Sequence, residues 1–168
     1  GRRRAGRPAK LAAAVKGRGT IPLSALEGRT EGLVVLTGGP GGVLGERLRA
    51  GDPAGALART QQLRALFGDE NVRVEVWRHG DRREDKVRAG LLDLAAALGL
   101  KAVATNVTHY ATPAGRRVAD VLACIRTHRT LDGAGTLLKP SDRWALPDAR
   151  TLRELFADRP GAAMATEC

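Results

Sequence analysis

The stretch "LLDLAAALGLKAVATNVTHY", Leu91 to Tyr110, holds a complete change of structure. Leu91, Leu94, Ala95 and Leu98 continue one apolar stripe from Val87 at helical spacing, and Gly99 supplies a C-terminal stop. The apolar run Ala102, Val103 and Ala104 is too short for a helix and is broken by Thr105 and Asn106, so "LKAVATN" reads as a strand. His109 stands just past that strand end. Parallel-sheet proteins keep their working residues there, which makes this histidine a candidate ligand or catalytic group.

The same alternation extends in both directions. "EGLVVLTGG" (Glu31–Gly39) is an apolar run closed by glycines and reads as a buried strand. Asp52-Pro53 opens a helix, with Asp as cap and Pro at the first helical position, and Gly68 closes it. In "NVRVEVW" (Asn71–Trp77) Val72, Val74 and Val76 alternate with Arg73, Glu75 and Trp77, giving a second strand with one apolar face. The Val87 helix begins near Asp81. Downstream, Thr112-Pro113 opens a third helix with Val118, Val121, Leu122 and Ile125 on one face. After Leu131 the stretch "DGAGTLLKPSDRWALPD" is irregular, and a short helix from about Ala149 to Ala157 precedes Pro160. Strands alternating with helices predict an α/β fold with parallel strands and right-handed crossovers. The strand ends "TGGPGG", "WRHGD" and "TNVTHY" should then meet on one rim.

Composition narrows the functional classes. The chain has 168 residues, 43% of them hydrophobic, enough for one domain with a core. The 3% aromatic content offers few stacking platforms for bases. Apolar runs are too short for a membrane span, and no signal peptide is recognisable. Cys124 and Cys168 form no zinc or disulfide pattern, which fits a reducing cytoplasm. The chain starts at Gly1 and holds its single Met at Met164, so it reads as a piece of a longer protein. Most of the net charge of +10 sits in residues 1–20, which carry seven Arg or Lys and no acid. Such a segment binds phosphate backbones by counterion release, or is simply solvated.

The motifs taken singly are weak. "TGGPGG" (Thr37–Gly42) lacks the Lys-Ser/Thr of a phosphate loop, and Leu44 stands where a dinucleotide fingerprint needs its last glycine. His79 and His109 follow neighbouring strands and could face one pocket, with Glu75 and Asp81 as the nearest acids in sequence. His128 reads as a surface residue near a helix end, and Cys124 as core.

Taken in order, "GLVVLTGG", "LRAGDPAGAL", "LRALFGDENVRVEVWRHGD", "LAAALGLKAVATNVTHYA" and "VLACIRTHRTLD" resemble the bacterial DNA polymerase III alpha family. The resemblance is to its polymerase-and-histidinol-phosphatase (PHP) domain. "RTHRTLDGAGTLLKPSDRWAL" leans toward the error-prone branch. The resemblance implies the second half of a distorted seven-stranded β/α barrel, with parallel strands alternating with helices and a short helical linker after it. Residues 1–20 would be a basic segment, 21–131 the C-terminal half of the PHP domain, and 132–168 the linker toward the polymerase core. Half a barrel would expose two sheet edges.

The resemblance also fixes what to expect at His109. Metal-binding members carry A-T-N-D-x-H-Y after this strand, where Asp and His are ligands. Here His109 matches, while Val107 takes the Asp position. After the first strand such members have T-G-C, and Gly39 stands in place of Cys. The implied reading is a degenerate, structural PHP segment with a vestigial metal position at His109 and no cofactor of its own. The parent would be a cytoplasmic DNA-directed DNA polymerase acting in replication and repair. Its magnesium would be bound outside this chain, and its partners would be DNA and other replication or repair proteins. The competing readings are a free-standing PHP-type phosphoesterase and a small basic nucleic-acid-binding module.

Overall fold

The computed structural model describes residues 22–165. The basic segment 1–20 and Cys168 lie outside them. The chain divides into two compact units, residues 1–33 and 34–168. Within the first, Leu23–Leu26 form a 3-10 turn.

The second unit is α/β. Its described residues form three strands and seven α-helices: β1 (Val35–Leu36), α1 (Val43–Arg49), α2 (Pro53–Phe67), β2 (Val72–Val76), α3 (Arg82–Leu98), β3 (Lys101–Ala104), α4 (Arg116–Thr127), α5 (Leu131–Ala134), α6 (Ala149–Leu155) and α7 (Pro160–Met164). The strands make one parallel sheet in the order β1-β2-β3, with Val35 beside Val72 and Val74 beside Ala102.

Local chemistry sets the helix limits as the sequence predicts. The Asp52 carboxylate accepts the Gly55 amide at 2.8 Å, with Pro53 at the first helical position of α2. Asp81 accepts the Arg83 amide at 2.9 Å and opens α3. Gly99 ends α3 with φ of +66°, a left-handed cap that a side chain would strain. Val72, Val74 and Val76 are all fully buried, as are Leu44 and Leu91. The helix α1 packs against both α2 and α3, α3 packs on β2, and α7 packs on β3.

Three features depart from the sequence reading. The first strand is two residues long and lies at the sheet edge, so Val34 and Leu36 stay exposed where a buried strand was predicted. The helix α1 has no capping side chain to announce it. It lies so close over the glycine loop that a Cβ on Gly45 would sit 2.4 Å from the Pro40 carbonyl oxygen. On α4 the apolar stripe faces solvent: Val118, Val121, Leu122 and Ile125 are exposed, Ile125 at 65%, while Cys124 is buried. Periodicity reports that a helix has an apolar face, but not whether its partner lies in the same chain segment. Among the described residues no helix is long and apolar enough to cross a membrane.

The two kinds of apolar side chain should separate in a denaturation experiment on the chain. Leu91→Ala empties a fully buried site and is expected to cost about 3 kcal/mol. Ile125→Ala removes an exposed side chain and is expected to change stability by no more than about 0.5 kcal/mol.

Candidate functional site

The three strand ends meet on one rim, as the topology predicts. The Thr37 amide donates to the Arg73 carbonyl at 3.2 Å, and the Glu75 amide donates to the Thr37 hydroxyl at 3.0 Å. The Thr105 amide donates to the Val76 carbonyl at 2.8 Å, and its hydroxyl donates to Glu75 at 2.6 Å. Glu75 therefore ties the rim together, its backbone amide to Thr37 and one carboxylate oxygen to Thr105.

The rim is filled by indole rings. Trp77, at the end of β2, lies against the glycine loop: a Cβ built on Gly39 would fall 2.5 Å from the Trp77 ring. Gly39 also has φ of +55°, so both space and backbone favour glycine there. The position that carries Cys in metal-binding relatives of the resembled family is thus occupied by an aromatic ring.

Trp144 fills the other side. It comes from the irregular stretch after Leu131, which folds back along the loop after β3. The buried Asn106 carboxamide donates to the carbonyls of Arg143 at 3.0 Å and Ala145 at 2.5 Å. The His109 amide donates to the Trp144 carbonyl at 2.9 Å, and the Leu146 amide to the Tyr110 carbonyl at 3.0 Å. Tyr110 and Ala145 form a parallel bridge. The Tyr110 hydroxyl donates to the Ser141 carbonyl at 3.1 Å, and the Ser141 hydroxyl donates to the His79 carbonyl at 2.8 Å.

The two histidines converge on the same indole in different ways. His79 is 1% exposed and stacks on Trp144, with centroids 3.6 Å apart and planes at 10°. Its Nε2 faces the Asn106 carbonyl at 3.1 Å and its Nδ1 faces the Glu84 carboxylate at 3.2 Å. Both partners are oxygen acceptors, so each ring nitrogen of His79 faces an oxygen. His79 is a structural group with both nitrogens engaged. Its acid is Glu84 on α3, five residues along, rather than Asp81 or Glu75. His109 meets the edge of Trp144 at 5.0 Å and 78° and lies at the exposed surface. Partial burial of its ring, then the charges of Lys139, His79 and Arg126, hold its pKa below the ordinary histidine range.

Val107 has φ of +33°, a left-handed conformation that a β-branched residue adopts at a cost, and it is 40% exposed. It brings no lone pair to the rim. His128, the other left-handed residue that is not glycine among the described residues, caps α4 at φ of +53° on the surface, as its sequence position suggests. Among the described residues no three His, Cys, Asp or Glu side chains gather in a group that could hold a metal.

No protein-family model matches the chain. It is 34% identical over 137 residues to the DNA polymerase III subunit alpha of Mycobacterium tuberculosis, covering 81% of this chain and 12% of that protein. The same-named protein of Saccharopolyspora erythraea is 36% identical over 134 residues, 79% of this chain and 11% of that protein. The error-prone DNA polymerase of Mycolicibacterium paratuberculosis is 35% identical over 158 residues, 94% of this chain and 14% of that protein. The chain thus spans only a small part of the length of these relatives.

Two stability measurements check the rim. Gly39→Ala is expected to cost about 3 kcal/mol, from the clash with Trp77 and the strained φ together. In a Trp77→Leu background its cost should fall to about 1 kcal/mol, the coupling of two residues in contact. Val107→Asn, which tolerates the left-handed conformation, should stabilise the chain by about 1 kcal/mol.

Proposed function

We propose that this chain, homologous along most of its length to one segment of bacterial DNA polymerase III alpha subunits and error-prone DNA polymerases, is a structural part of such a polymerase. In this reading residues 21–131 are the C-terminal part of a PHP-type β/α barrel. Residues 132–168 lead on toward the polymerase core, and within them residues 141–146 fold back on the rim. The three parallel strands make one arc of the barrel, and the edges of β1 and β3 are where its remaining strands would join. The exposed stripe on α4 supports the same view, because it is a hydrophobic face with no cover among the described residues.

The observation that carries the non-catalytic reading is the ring of Trp77 standing where a side chain at Gly39 would project. A metal-activated water needs several fixed ligands around one ion. Here His109 is the single family ligand position still bearing a donor, Val107 is hydrocarbon, and the place of the third is filled. The parent's activity would be DNA-templated nucleotide addition in the cytoplasm, with magnesium held by residues outside this chain and DNA and other replication or repair proteins as partners.

The parent polymerase with its nucleotidyl-transfer carboxylates removed tests this. With manganese or zinc added it is expected to show no nuclease or phosphatase activity. Metal-stimulated cleavage that disappears in His109→Ala would contradict the proposal. Val107→Asp with Gly39→Cys should gain little metal affinity while Trp77 is intact. It should gain more once Trp77→Val opens the space, because ligands of one site act together.

A further inference from the structure

His109 lines a cleft of about 370 Å³ between α4 and the segment leading to Trp144. Its walls include Tyr110, Leu122 and Leu138, and its polar groups are His109, Arg126, Lys139 and Asp120. The one acid is already engaged: Asp120 lies 3.6 Å from the Arg116 guanidinium on the same helix. Arg116 also donates to the Lys139 carbonyl at 3.0 Å, fixing the backbone that presents the lysine. Lys139 is half-buried, and its ammonium sits 3.7 Å from the centroid of Trp144, the indole whose edge meets His109. Neither Lys139 nor Arg126 makes an ion pair with a carboxylate among the described residues.

Clustered cations that make no ion pair of their own repel one another, and a half-buried ammonium loses hydration as well. Burial, with Arg126 adding to it against the opposing charge of Glu84, holds the Lys139 ammonium below the ordinary lysine range. Both penalties are relieved when an anion enters. The cation–π contact holds the ammonium at the cleft wall before any ligand arrives, which lowers the ordering cost of binding. A divalent cation would meet repulsion from the same groups.

We propose that this cleft is an anion site in which Lys139 and Arg126, with the His109 ring at its edge, hold a phosphate group, either free phosphate or a phosphate of a DNA backbone. The site needs no metal, and it takes the tetrahedral oxyanion as a hydrogen-bond acceptor from ammonium and guanidinium donors. It lies beside the vestigial metal position but shares only His109 with it.

Titration of the 168-residue chain with inorganic phosphate, followed by NMR at the His109 ring and the Lys139 side chain, tests the assignment. Saturable shifts at both groups are expected, while the buried His79 signal stays still. Lys139→Met keeps an apolar stem to lie on Trp144, and Arg126→Gln alters an exposed helix position, so both should fold. Each is expected to weaken phosphate binding by about tenfold or more, and Arg150→Gln on α6 should not. Absent or unsaturable shifts, or wild-type affinity retained in both cleft variants, would overturn the proposal. Adding oligothymidylate then distinguishes the sources. Displacement of phosphate from the His109 signal assigns the site to a backbone phosphate, and retention assigns it to the free anion. The readout is made on this chain without metal, so it is independent of whether the parent polymerises DNA.

Discussion

The Asn106 carboxamide is the tie on which the rim depends. Its two N–H bonds run to the carbonyls of Arg143 and Ala145, on either side of Trp144, and the backbone carbonyl of the same residue faces His79 Nε2 at 3.1 Å. Asn106, through its carboxamide and its backbone carbonyl, thus joins the end of β3, the end of β2 and a segment nearly forty residues further along the chain. Without it the buried Ala145 carbonyl would lose its donor, at about 1–3 kcal/mol, and the part-buried Arg143 carbonyl would lose one too. Trp144 takes its place from this tie, and the stacked His79, the edge-on His109 and the ammonium of Lys139 all take theirs from Trp144.

That dependence explains which parts of the protein were legible in its sequence. The limits of α2 and α3 follow from Asp52, Gly68, Asp81 and Gly99, because caps and stops act within one helical turn. The apolar face of β2 follows from the alternation of valines. The meeting of the strand ends follows from parallel topology. The shortness of β1 did not follow, because an apolar run says nothing about whether a neighbouring strand is present to cover it. The exposed face of α4 has the same origin.

The site was legible in outline and opaque in its fillings. His109, Val107 and Gly39 mark the altered ligand positions in the sequence, but the groups that fill the space come from elsewhere. Trp77 was read as one residue of a strand face, and its seat against Gly39 is a contact across the sheet. Trp144 and Lys139 lie in a stretch without periodicity. A tryptophan in an otherwise aromatic-poor chain was the available signal, since a large apolar ring is seldom left uncovered. The pairing of His79 with Glu84 was closer to hand: a helix opening just after a strand-end histidine places its first-turn acids beside that histidine.

The account rests on residues 141–146 being a built wall of the rim. Hydrogen exchange at single amides tests this most directly. The amides of His109 and Leu146, bonded to the Trp144 and Tyr110 carbonyls at 2.9 and 3.0 Å, should exchange slowly in the wild type. Both should accelerate together in Asn106→Ala, while amides in the middle of α2 keep their protection. Exchange of His109 and Leu146 at the rate of open loop amides in the wild type would contradict the account.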